Sequence, residues 1–238
     1  MTVILLRHGR STSNTAYTLA GRTDGVDLDE KGCEQAQAVV ERLAGMPIRA
    51  IVRSPLLRCR RTVEPLAAAL GLDPVVDERI SEVDYGSWTG RKIGDLVKEP
   101  LWAVVQHQPS AAVFPGGEGL AQVQSRAVAA VREHDRRLAE LHEGDALWLA
   151  CTHGDVIKAV VADALGTHLD SFQRITADPA SMSVIRYTAL RPFVIHVNHT
   201  GAALTAGLLA KPPKADEKAD NKDGEVPPED AVVGGSTD

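Results

Sequence analysis

Aromatic residues are scarce in this chain of 238 residues, where Phe, Tyr and Trp together make up 4%. Aliphatic side chains must therefore fill its core. The supply is adequate, since 44% of the residues are hydrophobic and a chain of this length buries a sizeable core without covalent staples. Cysteine is nearly as sparse. Cys33, Cys59 and Cys151 are an odd number with no CxxC spacing, which argues against a disulfide framework or a Cys-rich zinc site and fits a reducing compartment. Long hydrophobic runs are missing as well. The opening run Val3–Leu6 stops at Arg7, too short for a signal-peptide core, and no stretch suffices to span a bilayer. The expectation is a cytoplasmic protein with no membrane partner. A basic surplus is lacking too: the formal net charge is −6, which speaks against a nucleic-acid partner.

The charge is unevenly placed. From Lys211 onward there are four Lys and eight Asp or Glu, interleaved with Pro and Gly and without apolar periodicity. Residues 206–238 are accordingly expected to be a disordered acidic tail, following a single folded domain over residues 1–205. A docking motif in the tail is the functional alternative, and a solvated tail needs no partner.

Within the body, short apolar runs alternate with helical spacing. Val3–Leu6, Ile48–Val52 and Ala146–Cys151 read as buried strands. Lys31–Ala44, Leu56–Leu70, Leu120–Leu141 and Val156–Leu165 read as helices, with Gly71 and Gly166 at their C-terminal ends. Ser183–Tyr187 and Phe193–Asn198 read as a closing hairpin-like pair of strands. This alternation predicts an α/β three-layer sandwich, a mostly parallel sheet with helices on both faces.

Each of the three buried strands runs into chemistry-bearing residues. The first exits into Arg7-His8-Gly9, the second into Ser54-Pro55 and Arg58, the third into Thr152-His153-Gly154. In a parallel sheet these exits share one edge, where open α/β sheets bind ligands. Arg7, His8, Arg58 and His153 would then converge into a cationic pocket, with Arg forks suited to two phosphate oxygens and helix N–H groups from Gly154 onward. Either short motif alone is a common surface feature; their joint occurrence at equivalent exits is not. Two Arg neutralise a phosphate dianion, so no metal or other cofactor is called for.

The motifs resemble those of the histidine phosphatase superfamily, the phosphoglycerate-mutase-like proteins. The resemblance begins at Leu5-Leu6-Arg7-His8-Gly9 and Asn14, then runs through Leu28-Asp29-Glu30-Lys31-Gly32 and Ser54-Pro55-Leu56 with Arg58 and Thr62. It continues at Glu82, Gly86, Trp88 and Gly90, and closes with Pro115-Gly116-Gly117-Glu118 and His153-Gly154. It implies His8 as a nucleophile that takes up phosphate, Arg7, Arg58 and His153 as the clamp, Glu82 as proton donor and Asn14 as a polar neighbour of the phosphate. Arg22 and Thr23 lie in a loop expected to reach the pocket. Arg10 stands where many members carry Glu or Gln. It either favours an acidic substrate or is solvated.

Two readings compete with a phosphatase acting on a small phosphorylated metabolite. A phosphoglycerate mutase would share the pocket; a non-catalytic phospholigand-binding module would lack the nucleophile or the acid, and neither is missing. The segment from Gly90 to Pro115, with Leu101–Val105, is expected to wall the pocket. His196 and His199 are expected on opposite faces of a strand, and His107, His134 and His142 have no evident partners. A homodimer stays open.

Overall fold

The computed structural model describes residues 1–142 and 146–201. The expected boundary at residue 205 and the acidic tail lie outside the described residues. In chain order the elements are β1 (Thr2–Arg7), α1 (Thr12–Thr15), α2 (Glu30–Arg42), β2 (Ile48–Arg53), α3 (Leu57–Leu70) and β3 (Val75–Val76). Then come α4 (Ile93–Leu96), α5 (Pro100–His107), α6 (Leu120–Leu141), β4 (Leu147–Thr152), α7 (Gly154–Leu165), β5 (Met182–Tyr187) and β6 (Pro192–His199). Among the described residues no helix is long and apolar enough to cross a membrane.

The strands form one sheet in the order β3-β2-β4-β1-β5-β6. β3, β2, β4 and β1 are mutually parallel, whereas β5 and β6 close the edge as antiparallel strands. The central strands alternate between two cores because successive side chains point to opposite faces. Val3, Leu5, Trp148 and Ala150 pack with α6 and α7 on one face. Ile4, Leu6, Leu149 and Cys151 pack with α2 and α3 on the other. The three-layer α/β expectation holds, and the sheet is mixed.

Helix ends follow local chemistry. Asp29 caps α2 by accepting from the Gly32 N–H, and Gly71 and Gly166 end α3 and α7 in the left-handed conformation. The last helix starts at Gly154, two residues earlier than its apolar periodicity suggests, because His153 stands directly before its first turn.

Two expectations are corrected. His196 and His199 do not face apart: their ring centroids are 5.6 Å apart. The pairing of β5 with β6 slips by a residue between Met182 and Val184, and Asn198 takes a positive φ of 54°, so strict alternation fails there. The Leu101–Val105 stretch does not wall the pocket. Trp102 and Val105 are buried in the core beside α6, with Trp102 stacked on Trp88, and only Ile93 of that region reaches the cleft.

Candidate active site

The exits of β1, β4 and β2 do meet at one sheet edge. Arg7 pairs in register with Thr152, the His8 N–H donates to the Thr152 carbonyl at 3.0 Å, and the Ser54 N–H donates to the Cys151 carbonyl at 2.9 Å. The loop after His8 rests on the first turn of α2 so closely that a Cβ on Gly32 would lie 2.0 Å from the Arg10 carbonyl oxygen. Thr62 ties the same loop to α3. Its hydroxyl accepts from the Gly9 N–H at 2.9 Å and donates to the Arg58 carbonyl at 2.7 Å.

His8, His153, Arg7, Arg58 and Glu82 are all buried. The His8 Nδ1 lies 2.7 Å from the Gly9 carbonyl, an acceptor only, so Nδ1 carries the proton and Nε2 presents its lone pair. Arg58 Nε donates to that Nε2 at 3.3 Å. Arg58 Nη2 bonds the Gly21 carbonyl at 2.8 Å and approaches His153 Nδ1 at 3.2 Å, while Nη1 is buried with no hydrogen-bond partner. That uncommitted donor marks where an oxyanion fits. Since an arginine can only donate, His153 Nδ1 accepts and its Nε2–H is turned to Ser54 Oγ at 2.8 Å. Arg7 is anchored through Nη1 on the Ala177 carbonyl at 2.7 Å.

Electrostatics separate the roles. Burial, reinforced by Arg58 and Arg7, holds His8 well below the usual imidazole range, and His153 is lowered for the same reasons. Both are therefore neutral, and the pocket is less cationic than a count of Arg and His implies. Burial pushes Glu82 the other way, up to about 7, with the nearby Asp155 carboxylate adding to it. Glu82 Oε1 accepts from the Val83 N–H at 3.0 Å and Oε2 lies 3.7 Å from His153 Nδ1. A neutral imidazole thus shares the pocket with a carboxyl that holds its proton near neutrality.

Residues that the sequence reading missed sit behind Glu82. Tyr85 donates to Asp155 Oδ2 at 2.8 Å, and the buried Lys158 donates to Asp155 Oδ1 at 3.3 Å. Asp155 and Lys158 are three apart on α7, and only that spacing hinted at a pair. Arg126 on α6 donates to the carbonyls of Arg79, Ser81 and Glu82 and is ion-paired with Glu118, which also accepts from the Asp84 N–H. Glu118 thereby holds the segment that carries Glu82.

Asn14 lines the cleft, with its Oδ1 accepting from Ser11. Gly154 opens α7 and is buried beside His153. Arg22 and Thr23 do not line the cleft: Arg22 is turned to the Glu82 carbonyl and to Glu118 at 2.8 Å each, and Thr23 is exposed. Arg10 is half-buried and paired with Asp29 at 2.6 Å. His134, for which no partner was evident, bonds Asp77 at 2.8 Å, a contact between α6 and the end of β3 that no sequence proximity signals. Among the described residues, no cluster of three His, Cys, Asp or Glu side chains is arranged to hold a metal.

The model of the histidine phosphatase superfamily (branch 1) matches residues 3–200. The chain belongs to the histidine phosphatase superfamily. It is similar to phosphoserine phosphatase 1 of Hydrogenobacter thermophilus, with 29% identity over 83% of this chain and 92% of the relative. The probable phosphoglycerate mutase GpmB of Salmonella choleraesuis is 32% identical over 78% of this chain and 84% of its own length. Among solved structures, a mycobacterial glucosyl-3-phosphoglycerate phosphatase complexed with VO3 superposes with a TM-score of 0.75 at 25% identity, covering 83% of this chain and 99% of the other. With named phosphatases on both sides of the comparison, the chain is a phosphatase of this superfamily.

Proposed function

We propose that this phosphatase hydrolyses small phosphate monoesters through a phosphohistidine on His8, with Glu82 as the proton donor. The observation that carries the reading is the fixed tautomer of His8, whose Nε2 lone pair points at the buried guanidinium of Arg58. In the first step a bond forms from Nε2 to phosphorus while the ester P–O bond breaks. Glu82 gives its proton to the departing oxygen. In the second step water attacks phosphorus, the Glu82 carboxylate takes its proton, and inorganic phosphate leaves His8 neutral again. Arg7 and Arg58 balance the charge on the transferring group throughout. The proton held by Glu82 supports an acidic to neutral optimum. The buried free thiols of Cys59 and Cys151 support a reducing, cytoplasmic location.

The similarity to the probable mutase GpmB favours a second reading, in which the phosphoryl group returns to the substrate. Against it, Trp88 and Trp102 of residues 83–114 pack into the core, and of that stretch Tyr85 and Ile93 line the cleft, a small cover that favours access of water to a phosphohistidine. Rapid quench of the wild type should trap an acid-labile, base-stable phosphoenzyme that His8→Ala lacks. Phosphate release and interconversion of 3- and 2-phosphoglycerate, measured on one preparation, separate the two outcomes. Isomerisation faster than phosphate release would establish a mutase, and label on a residue other than histidine would reject the phosphohistidine.

A further inference from the structure

Ser13, Asn14, Tyr17, Thr18, Leu19 and Ile93 line the cleft and, in the proposed reaction, form its leaving-group half. None of these is an acidic or basic residue of the Asp, Glu, His, Lys or Arg type. Among the described residues, the acidic or basic side chains that line the cleft are Arg7, His8, Arg58 and Glu82. Of the cations outside that lining, three arginines are ion-paired, whereas Lys92 meets a neutral carbonyl and keeps its charge. Arg10 is held by Asp29 at 2.6 Å, Arg22 by Glu118 at 2.8 Å and Arg91 by Glu99 at 2.7 Å, while the Lys92 ammonium sits on the Ala16 carbonyl at 2.8 Å. Neutral polar groups, in contrast, are available. The Ser13 and Tyr17 hydroxyls make no hydrogen bond among the described residues, and Asn14, whose Oδ1 is fixed on Ser11, keeps its Nδ2 donors for the cleft.

Tyr17 has a further mark of selection by the fold. It holds a positive φ of 51°, costly for a bulky residue, and is 61% exposed at the rim. Its backbone is locked there, with its N–H on the Asn14 carbonyl and its carbonyl accepting from the Ile93 N–H. The strain presents a phenol beside the cleft and leaves most of its surface exposed.

We infer that the site selects phosphate monoesters of uncharged, hydroxyl-bearing alcohols, polyol or sugar-like, and disfavours those whose alcohol carries a carboxylate. The inference rests on the phosphatase reading and names its substrate class. Once a phosphate dianion has cancelled Arg7 and Arg58, no positive charge is left among the residues that line the cleft. A carboxylate in the leaving-group half would lose hydration without gaining a cation. It would also face Glu82 as that residue turns anionic on giving up its proton, so the penalty falls on the transition state. Hydroxyls meet matching donors and acceptors at Ser13, Asn14 and Tyr17. This sets the chain apart from relatives named for phosphoserine and phosphoglycerate, whose esters bear a carboxylate.

Glycerol 3-phosphate and 3-phosphoglycerate share one skeleton and differ by a CH2OH in place of the carboxylate. The expected result is a kcat/KM for glycerol 3-phosphate higher by about tenfold or more. The double variant Ser13→Ala with Tyr17→Phe should lower that value severalfold more than it lowers hydrolysis of p-nitrophenyl phosphate, whose leaving group has no hydroxyl to bind; equal losses on both substrates would take the two hydroxyls out of the selectivity. Equal or reversed preference between the two glycerol esters would overturn the inference while phosphate release keeps the phosphatase reading. If neither ester turns over, their inhibition constants against p-nitrophenyl phosphate decide, with equal constants again overturning it. If p-nitrophenyl phosphate is not hydrolysed either, the phosphatase reading fails by itself. Calorimetric binding of the two esters then decides the selectivity, tighter glycerol 3-phosphate supporting it and equal binding ending it.

Discussion

Glu82→Gln should make the protein more stable, and by an amount that depends on pH. Glu82 is 4% exposed, and its carboxyl is raised from 4.5 to about 7 by burial and then by Asp155. The displacement corresponds to about 3 kcal/mol of preference for the neutral acid. The sign follows from linkage. A carboxyl whose pKa is higher folded than unfolded costs nothing below the unfolded value, and stability is lost as pH rises through the folded one. The wild type therefore loses about 1 kcal/mol from this group at pH 5 and about 3 kcal/mol at pH 8. A glutamine has nothing to ionise, and its side-chain oxygen can still accept from the Val83 N–H, which now bonds Oε1 at 3.0 Å. Relative to the wild type, the variant should gain about 2 kcal/mol more at pH 8 than at pH 5, roughly 4–8 °C in melting temperature for a domain of this size. Urea denaturation at both pH values measures it directly. A gain that is the same at both pH values, or absent, would show that burial does not hold Glu82 neutral and would remove the basis for its role as acid. The same variant should be slow on alkyl phosphates, so stability and activity should move in opposite directions.

Asp155→Asn removes a charge that raises Glu82, so the fall in alkyl phosphate hydrolysis above about pH 7 should move to lower pH; an unmoved profile would take Asp155 out of the proton economy. Glu82→Gln should spare an aryl phosphate, whose leaving group needs little protonation, far more than an alkyl one; equal losses on both would end the proton-donor assignment. Activity is expected to survive EDTA, with vanadate and orthophosphate as competitive inhibitors; loss on chelation, restored by a divalent cation, would refute the metal-free reading. Gly32→Ala should cost stability and activity together, on the order of 1–3 kcal/mol, because the added methyl meets the Arg10 carbonyl at 2.0 Å and pushes on the loop carrying His8; an unchanged melting temperature would mean that this loop is slack.

Strands, helices and the meeting of Arg7, His8, Arg58 and His153 were legible in the chain itself. Hydrophobic period distinguishes strand from helix, and parallel strands must deliver their C-terminal ends to one edge. Only tertiary structure could decide the rest. Whether an arginine is a ligand depends on which carboxylate it meets, so Arg10 and Arg22, tied to Asp29 and Glu118, could not be sorted by position alone. The tandem of Asp155 and Lys158 gains meaning because α7 is buried next to Glu82, and the contact of His134 with Asp77 joins elements far apart in the chain. Strand alternation holds only while register holds, so the bulge near Asn198 brings His196 and His199 together. Local pattern reflects which face each residue prefers, whereas charge state and partner depend on distances across the fold, which a linear pattern does not contain.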